Sequence, residues 1–260
     1  MAQSPLSCYC CAIHCRAVML DHVRQANAGV TRALNAALEE ASGVYIARMD
    51  ADDLARPERF ARQVEVLDAQ PGVVALGTQF QLMDPQGRAL YVLPVPCDHS
   101  SIDARLMQFQ SLSILHPSVM IRAEAITKAG VYDSAYLYAE DIDMFLRLAE
   151  VGELRNLDEV LMDYRLHLMS IGNCNRSQQQ LSAWKAGKAA AKRRGVPFLT
   201  PKPEHDHYVR RKSDTWPMCG WRALGAGNVA TARYYAYRSL FHNPLSRHNW
   251  WLALIAARGY

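Results

Sequence analysis

The feature that most constrains this chain is the run Val44-Tyr45-Ile46-Ala47-Arg48-Met49-Asp50-Ala51-Asp52-Asp53. Its apolar first half predicts a short strand buried on both faces, as in a mostly parallel open sheet flanked by helices. Three carboxylates follow just past the strand's carboxyl end, where open α/β sheets place their ligands. Carboxylates this close repel one another, so a cation has to compensate. A hard divalent ion bridging to a phosphate fits, because Mg²⁺ typically uses one or two carboxylates plus substrate phosphates. A solvated acidic loop fits the same ten residues, and the rest of the chain has to decide between them.

Upstream, Asn27-Ala28-Gly29 forms a turn, and Val30, Ala33, Leu34, Ala37, Leu38 and Ala41 recur at helical spacing before Gly43. Helix, capped stop, buried strand and acidic loop together make the second part of a βαβ unit. Downstream, Pro57 suits the first turn of a helix with Phe60, Val64 and Leu67 on one face. Strands are predicted over 73–77 and 79–83, returning over 88–93 after the turn Asp84-Pro85-Gln86-Gly87. A helix over 100–109 is followed by a strand over 116–121, entered through His116-Pro117, and by a short helix over 123–129.

A second acidic cluster, Glu140-Asp141-Ile142-Asp143, opens an amphipathic helix whose face is Ile142, Phe145, Leu146 and Ala149. Acids at a helix start are favoured by its dipole, and Asp143 can pair with Arg147 one turn on. Ordinary capping therefore accounts for this cluster when it is taken alone. Short strands over 153–156 and 160–164 lead to Arg165-Leu166-His167, a cation beside a potential metal ligand.

Beyond Gly172 the composition turns polar, basic and helical. A helix over 178–194 and a charged connector over 197–212 come first; the helical sequence over 221–240 broken at Gly225 and Gly227, with the last helix after Asn243-Pro244, then resembles one tetratricopeptide-like hairpin. A single such unit cannot bury its own face, so it has to pack on the main domain or on a partner. The expected organisation is an unmatched, poorly ordered segment 1–20, an α/β domain over 21–172 and a helical region over 173–260.

The net charge of +4 lacks the concentrated basic footprint of a nucleic-acid binder. No run of 18 apolar residues predicts a membrane span. The seven cysteines are an odd number without a secretory signal, which points to free thiols in the cytoplasm. The crowding of Cys8, Cys10, Cys11 and Cys15 beside His14 matches none of the paired zinc spacings. The basic face from Lys185 to Arg194 suits either plain solvation or contact with anionic membrane lipid at the inner face of the membrane.

In order along the chain, five motifs are similar to those of the family-two glycosyltransferases. They are Asn27-Ala28-Gly29 with Ala33-Leu34-Asn35; Tyr45 to Asp53 with Pro57; His116-Pro117-Ser118-Val119-Met120; Glu140 to Arg147; and Tyr164-Arg165-Leu166-His167. Each is weak alone; their shared order across roughly residues 22–170 is strong. The resemblance implies an inverting enzyme of the A-type glycosyltransferase fold, moving a sugar from a nucleotide-sugar donor to a carbohydrate, lipid-linked or protein acceptor. It implies that Asp50 and Asp52 hold Mg²⁺ or Mn²⁺ on the donor diphosphate, with His167 completing the metal shell. Asn27, Arg48, Asp50 and Arg165 would contact the nucleotide or its phosphates. Asp141 would be the general base, with Glu140 and His116 on the acceptor side.

The family's members normally begin with an apolar strand, a helix and a second strand that recognises the nucleoside. No such unit is found, although one takes about 30 residues. The expectation is a truncated or mis-started reading frame, with exposed apolar surface on the sheet and an incomplete nucleoside pocket. An inactive fragment that serves as a binding scaffold is therefore the main rival. A haloacid-dehalogenase-type phosphatase also places Asp-x-Asp after a strand, but leaves Glu140-Asp141 and Tyr164 to His167 unexplained.

Overall fold

The computed structural model describes residues 8–14, 17–166, 175–203 and 212–259. β1 (Cys8–His14) and β2 (Ala17–Val23) pair with each other as an antiparallel hairpin. The main sheet contains β3 (Tyr45–Ala47), β4 (Leu54–Ala55), β5 (Val73–Met83), β6 (Ala89–Leu93), β7 (Met120–Arg122) and β8 (Glu153–Arg165). Its order is β3-β7-β5-β8-β4, with β6 also on β5. The α/β architecture expected from the sequence is present, with a mixed sheet. β5 and β8 run parallel, and every other pairing is antiparallel.

β5 is the spine. Ten of its eleven residues are buried, as a strand covered on both faces requires. On one side α2 (Arg59–Ala69) seals Leu76 and Met120 with Leu67. On the other, α3 (His99–Met107), α5 (Glu140–Leu148) and α6 (Arg176–Arg194) enclose Ile102, Leu106, Phe145 and Leu148. Ala183, Ala186 and Ala190 let α6 approach closely. Truncating the fully buried Phe145 to Ala would cost about 3–5 kcal/mol.

Three strand expectations are corrected. The apolar run at Val44 is not covered on both faces: β3 is a three-residue edge strand, with Val44 74% and Met49 41% exposed. It bonds only to β7 among the described residues, so its outer side meets no neighbour there. The strand expected from His116 begins later. Pro117 has no N–H to give a ladder, and His116–Ser118 coils into a 3₁₀ turn before β7. The two strands expected over 153–164 are one, β8, in which pairing jumps from Thr78–Leu157 to Gln79–Val160, leaving Asp158 and Glu159 as a bulge.

α7 (Lys212–Gly225), α8 (Val229–His242) and α9 (Arg247–Arg258) form the C-terminal bundle. It packs on the main domain, as its unpaired face demands. Trp216, Leu224, Tyr235 and Leu252 meet Phe80, Leu90 and Met162. Asn228 donates to the Leu90 carbonyl at 2.9 Å, and the Tyr235 hydroxyl to Asp84 Oδ2 at 3.0 Å. α1 (Val30–Glu40) and α4 (Ala123–Ala129) flank the β3 edge.

Candidate active site

The acidic loop leaves β3 pinned at both ends. Arg48 donates its N–H to the Val119 carbonyl at 2.9 Å, and Asp53 donates to the Asp50 carbonyl at 3.3 Å. That turn brings Asp50, Asp52 and Asp53 together, each offering one carboxylate oxygen within 4.8 Å of the others. Arg48 Nη2 pairs with Asp50 Oδ1 at 2.6 Å. Asp53 is buried; its Oδ1 accepts the Arg165 backbone N–H at 2.8 Å, while Oδ2 is buried without a partner. Burial, with help from Asp50 and Asp52, pushes its carboxyl up to about 7, against the pull of the Arg165 N–H and of Arg48. Three converging hard oxygens, one of them buried and unsatisfied, fit a divalent cation.

Arg165 ends β8 as a bracket. Its Nε donates to the Asp52 carbonyl at 2.7 Å, and its Nη1 to the Asp84 and Pro85 carbonyls at 3.3 and 3.1 Å. Asn27 sits in the exposed turn before α1, where its Oδ1 accepts the Gly29 N–H at 3.3 Å; its hydrogen bonding is local to that turn. His167 lies outside the described residues.

The second cluster is set in a different medium. α5 starts at Glu140 with no side-chain cap on Ala139, and Glu140, Asp141 and Asp143 fill its first turn. Asp143 does what the capping interpretation expects: Arg147 grips its Oδ2 with Nη2 at 2.6 Å and Nε at 2.9 Å. Its neighbours differ. Asp141 Oδ1 accepts the Ile142 N–H at 2.9 Å, and burial beside Glu140 pushes its carboxyl up to about 7. Burial also raises Glu140, whose Oε2 is enclosed without a partner. His116 Nε2 lies 2.7 Å from the Tyr132 hydroxyl, and its ring packs edge-on against Phe145. Burial, then Arg48, holds this imidazole well below its usual range, so it is neutral.

Arg48 joins the two clusters. It is paired with Asp50, its Nη1 is buried without a partner, and its charge acts on Asp53, His116, Tyr132, Glu140 and Asp141. The structure thus gathers Arg48, Asp50, Asp52, His116, Glu140, Asp141 and Arg165 around one guanidinium and one loop.

Comparison with known proteins bears on the same stretch: residues 20–121 match the model of Glycosyl transferase family 2. Over these residues the chain is similar to the family-two glycosyltransferases. It is similar to the amylovoran biosynthesis glycosyltransferase AmsE of Erwinia amylovora, at 35% identity over 141 residues, or 54% of this chain and 51% of that protein. It is also 29% identical over 171 residues to the O-antigen biosynthesis glycosyltransferase WbnJ of Escherichia coli, covering 65% of each. The chain spans about half to two-thirds of the length of these relatives. A solved mannosyltransferase of Pyrobaculum calidifontis, in complex with GDP-Man and Mn²⁺, aligns over 91% of this chain and 66% of that one, at 17% identity and a TM-score of 0.43. The family match removes the phosphatase alternative.

Three residues around this site escape the sequence motifs. Asp53 is visible as an acid, but its bond to Arg165 depends on β8 lying beside the loop. Arg59 reads as the exposed start of a helix, yet is fully buried and donates to the Arg48 carbonyl at 2.7 Å and to Gln63 Oε1 at 3.1 Å. Burial lowers its guanidinium to about 10. Tyr132, under His116, is clamped by Asn35, which donates to its carbonyl at 2.9 Å and accepts its N–H at 3.0 Å. No local pattern signals any of these partnerships.

Proposed function

We propose that this chain transfers a sugar from a nucleoside-diphosphate donor to an acceptor hydroxyl with inversion at the anomeric carbon. The observation that carries the reading is the opposition of a converging acidic triplet and the proton-holding Asp141 across Arg48. Asp50, Asp52 and Asp53 would hold Mg²⁺ or Mn²⁺, which supplies Lewis-acid stabilisation of the departing diphosphate when bound. Arg48 is placed to add positive charge on the same side. Asp141 takes the acceptor's proton as the acceptor oxygen bonds the anomeric carbon and the bond to the diphosphate oxygen breaks. A carboxyl held near 7 suits that task at neutral pH. Neutral His116, fixed by Tyr132 and Phe145, borders the acceptor side with Glu140. An acceptor in polysaccharide or O-antigen assembly at the cytoplasmic membrane face accords with the relatives' names.

A binding module without catalysis is the second reading, favoured by the β3 edge beside the triplet, which pairs only with β7 among the described residues. Calorimetric titration with UDP, GDP, dTDP and CDP, with and without Mn²⁺, tests the donor site. Metal-dependent binding to one diphosphate, lost in Asp52→Ala, is the expected result. A folded protein that binds none of them overturns the active-enzyme reading.

A further inference from the structure

Beyond Asp214, near the start of α7, the C-terminal bundle is charged unlike the rest of the chain. Residues 215–260 contain five arginines (Arg222, Arg233, Arg238, Arg247 and Arg258) and no Asp or Glu. The whole chain is +4, so removing these five charges leaves the remainder at −1. None of the five pairs with a carboxylate of the described residues. Arg222 stacks on Tyr91 and Arg238 on Trp216, and Arg233 donates to the Ala256 and Ala257 carbonyls at the end of α9.

α9 is apolar on two sides. Leu252 and Ala256 face inward and are fully buried. The outward stripe, spaced three or four residues apart, runs Arg247, Trp250 and Trp251, Leu254, Arg258. Both indoles are more than half exposed, and with Arg247, Ala253 and Leu254 they line a groove of about 500 Å³. Trp250 bends back to donate its indole N–H to the Pro244 carbonyl at 2.8 Å. Beside it, Leu245 is 91% exposed, and Phe241 one turn earlier is 76% exposed. Apolar rings and aliphatic tips left in water are costly. Flanking them with cations and excluding every carboxylate matches the boundary of an anionic bilayer, where Trp sits at headgroup depth and Arg meets phosphate.

On the basic face of α6, which first suggested membrane contact, the last two arginines are committed elsewhere. Arg193 is bound to Glu150, and Arg194 to Asp103 and Glu150. No helix of the described residues is long and apolar enough to cross a membrane, so any attachment through this bundle is peripheral.

We infer that the outward face of α9, with the α8–α9 turn, docks on anionic phospholipid. Charge complementarity selects lipid over a second copy of the chain, because two such faces would bring like-charged arginines together. This inference does not depend on the donor-site reading. Co-sedimentation of the full chain with phosphatidylglycerol-containing vesicles, against pure phosphatidylcholine vesicles, tests it. Binding to the anionic vesicles alone is expected, weakening with salt. Trp250→Ser with Trp251→Ser should abolish it, and Arg247→Glu with Arg258→Glu should weaken it by at least about fivefold per arginine. Both variants should keep the wild-type far-ultraviolet dichroism and melting point, since the altered side chains lie outside the packed core. If the tryptophan variant melts early, the arginine variant alone decides. Equal binding to both vesicle types, or none, overturns the inference. So does light scattering that finds a dimer split by the tryptophan variant without lipid binding.

Discussion

The two acidic clusters handle the same chemical problem in opposite ways. At Asp50, Asp52 and Asp53, carboxylates are crowded in a loop of which Asp52 is open to water, and Arg48 supplies part of the missing charge. At the start of α5, Glu140 is buried and Asp141 half-buried instead, and burial raises both. The first arrangement also buries one carboxyl, Asp53, which is raised to about 7 as Asp141 is, but it keeps Asp52 in water and brings three carboxylate oxygens together where a cation can replace the proton. The second leaves a carboxyl that holds its proton up to neutral pH. Asp143, in the same turn, is what the second cluster would be if it were only structural: fully enclosed, but neutralised by Arg147.

The largest break in this comparison is expected from Asp141→Asn, which keeps shape and burial but cannot take a proton. Turnover should fall about 10²- to 10⁴-fold, with diphosphate affinity unchanged by calorimetry. Asp52→Ala should do the converse, costing about 100-fold in metal-dependent donor affinity, measured by the same titration. The third effect is on pH. Below pH 7 Asp141 is protonated and useless as a base, so turnover should climb about tenfold per unit as pH rises, then level off above about 7. Because Arg48 pulls the Asp141 carboxyl down, Arg48→Ala should move that midpoint upward, whereas Asp143→Asn should leave it in place. A structural test comes last: Asp143→Ala strands a partly buried Arg147 and should cost about 3 kcal/mol, read by denaturant unfolding. If Asp143 variants instead shift the pH profile, the division within the first turn of α5 is wrong.

Much of this was legible in the residues. The spacing of Ile142, Phe145 and Leu146 gives α5, although the helix is buried on more than that face, with Asp143, Met144 and Leu148 enclosed as well. The triplet is plain as written. The edge position of β3 was not legible, since Val44-Tyr45-Ile46-Ala47 has the same composition at an edge as in a sheet centre; only the strand order separates them. The single β8 was hidden by its bulge, which interrupts the alternation that marks a strand. Asp53, Arg59 and Tyr132 draw their meaning from partners up to 112 residues away. Side-chain type alone cannot disclose such partnerships. In the basic run Lys185 to Arg194, the pairing of the last two arginines with acids on α3 and beyond α5 was hidden for the same reason.

Arg165 also has a thermodynamic consequence. One side chain grips the Asp52 carbonyl on the acidic loop and the Asp84 and Pro85 carbonyls on the β5–β6 turn, and Asp84 in turn receives the Tyr235 hydroxyl of α8. The loop, the turn and the C-terminal bundle are therefore linked in series, and opening one loosens the grip on the next. By reciprocity, whatever fills the acidic loop must slow amide exchange at Gln86 and Arg88, which are hydrogen-bonded to Asp84. A ligand held by three carboxylates would be felt as rigidity in the β5–β6 turn and in the helix that bonds to it.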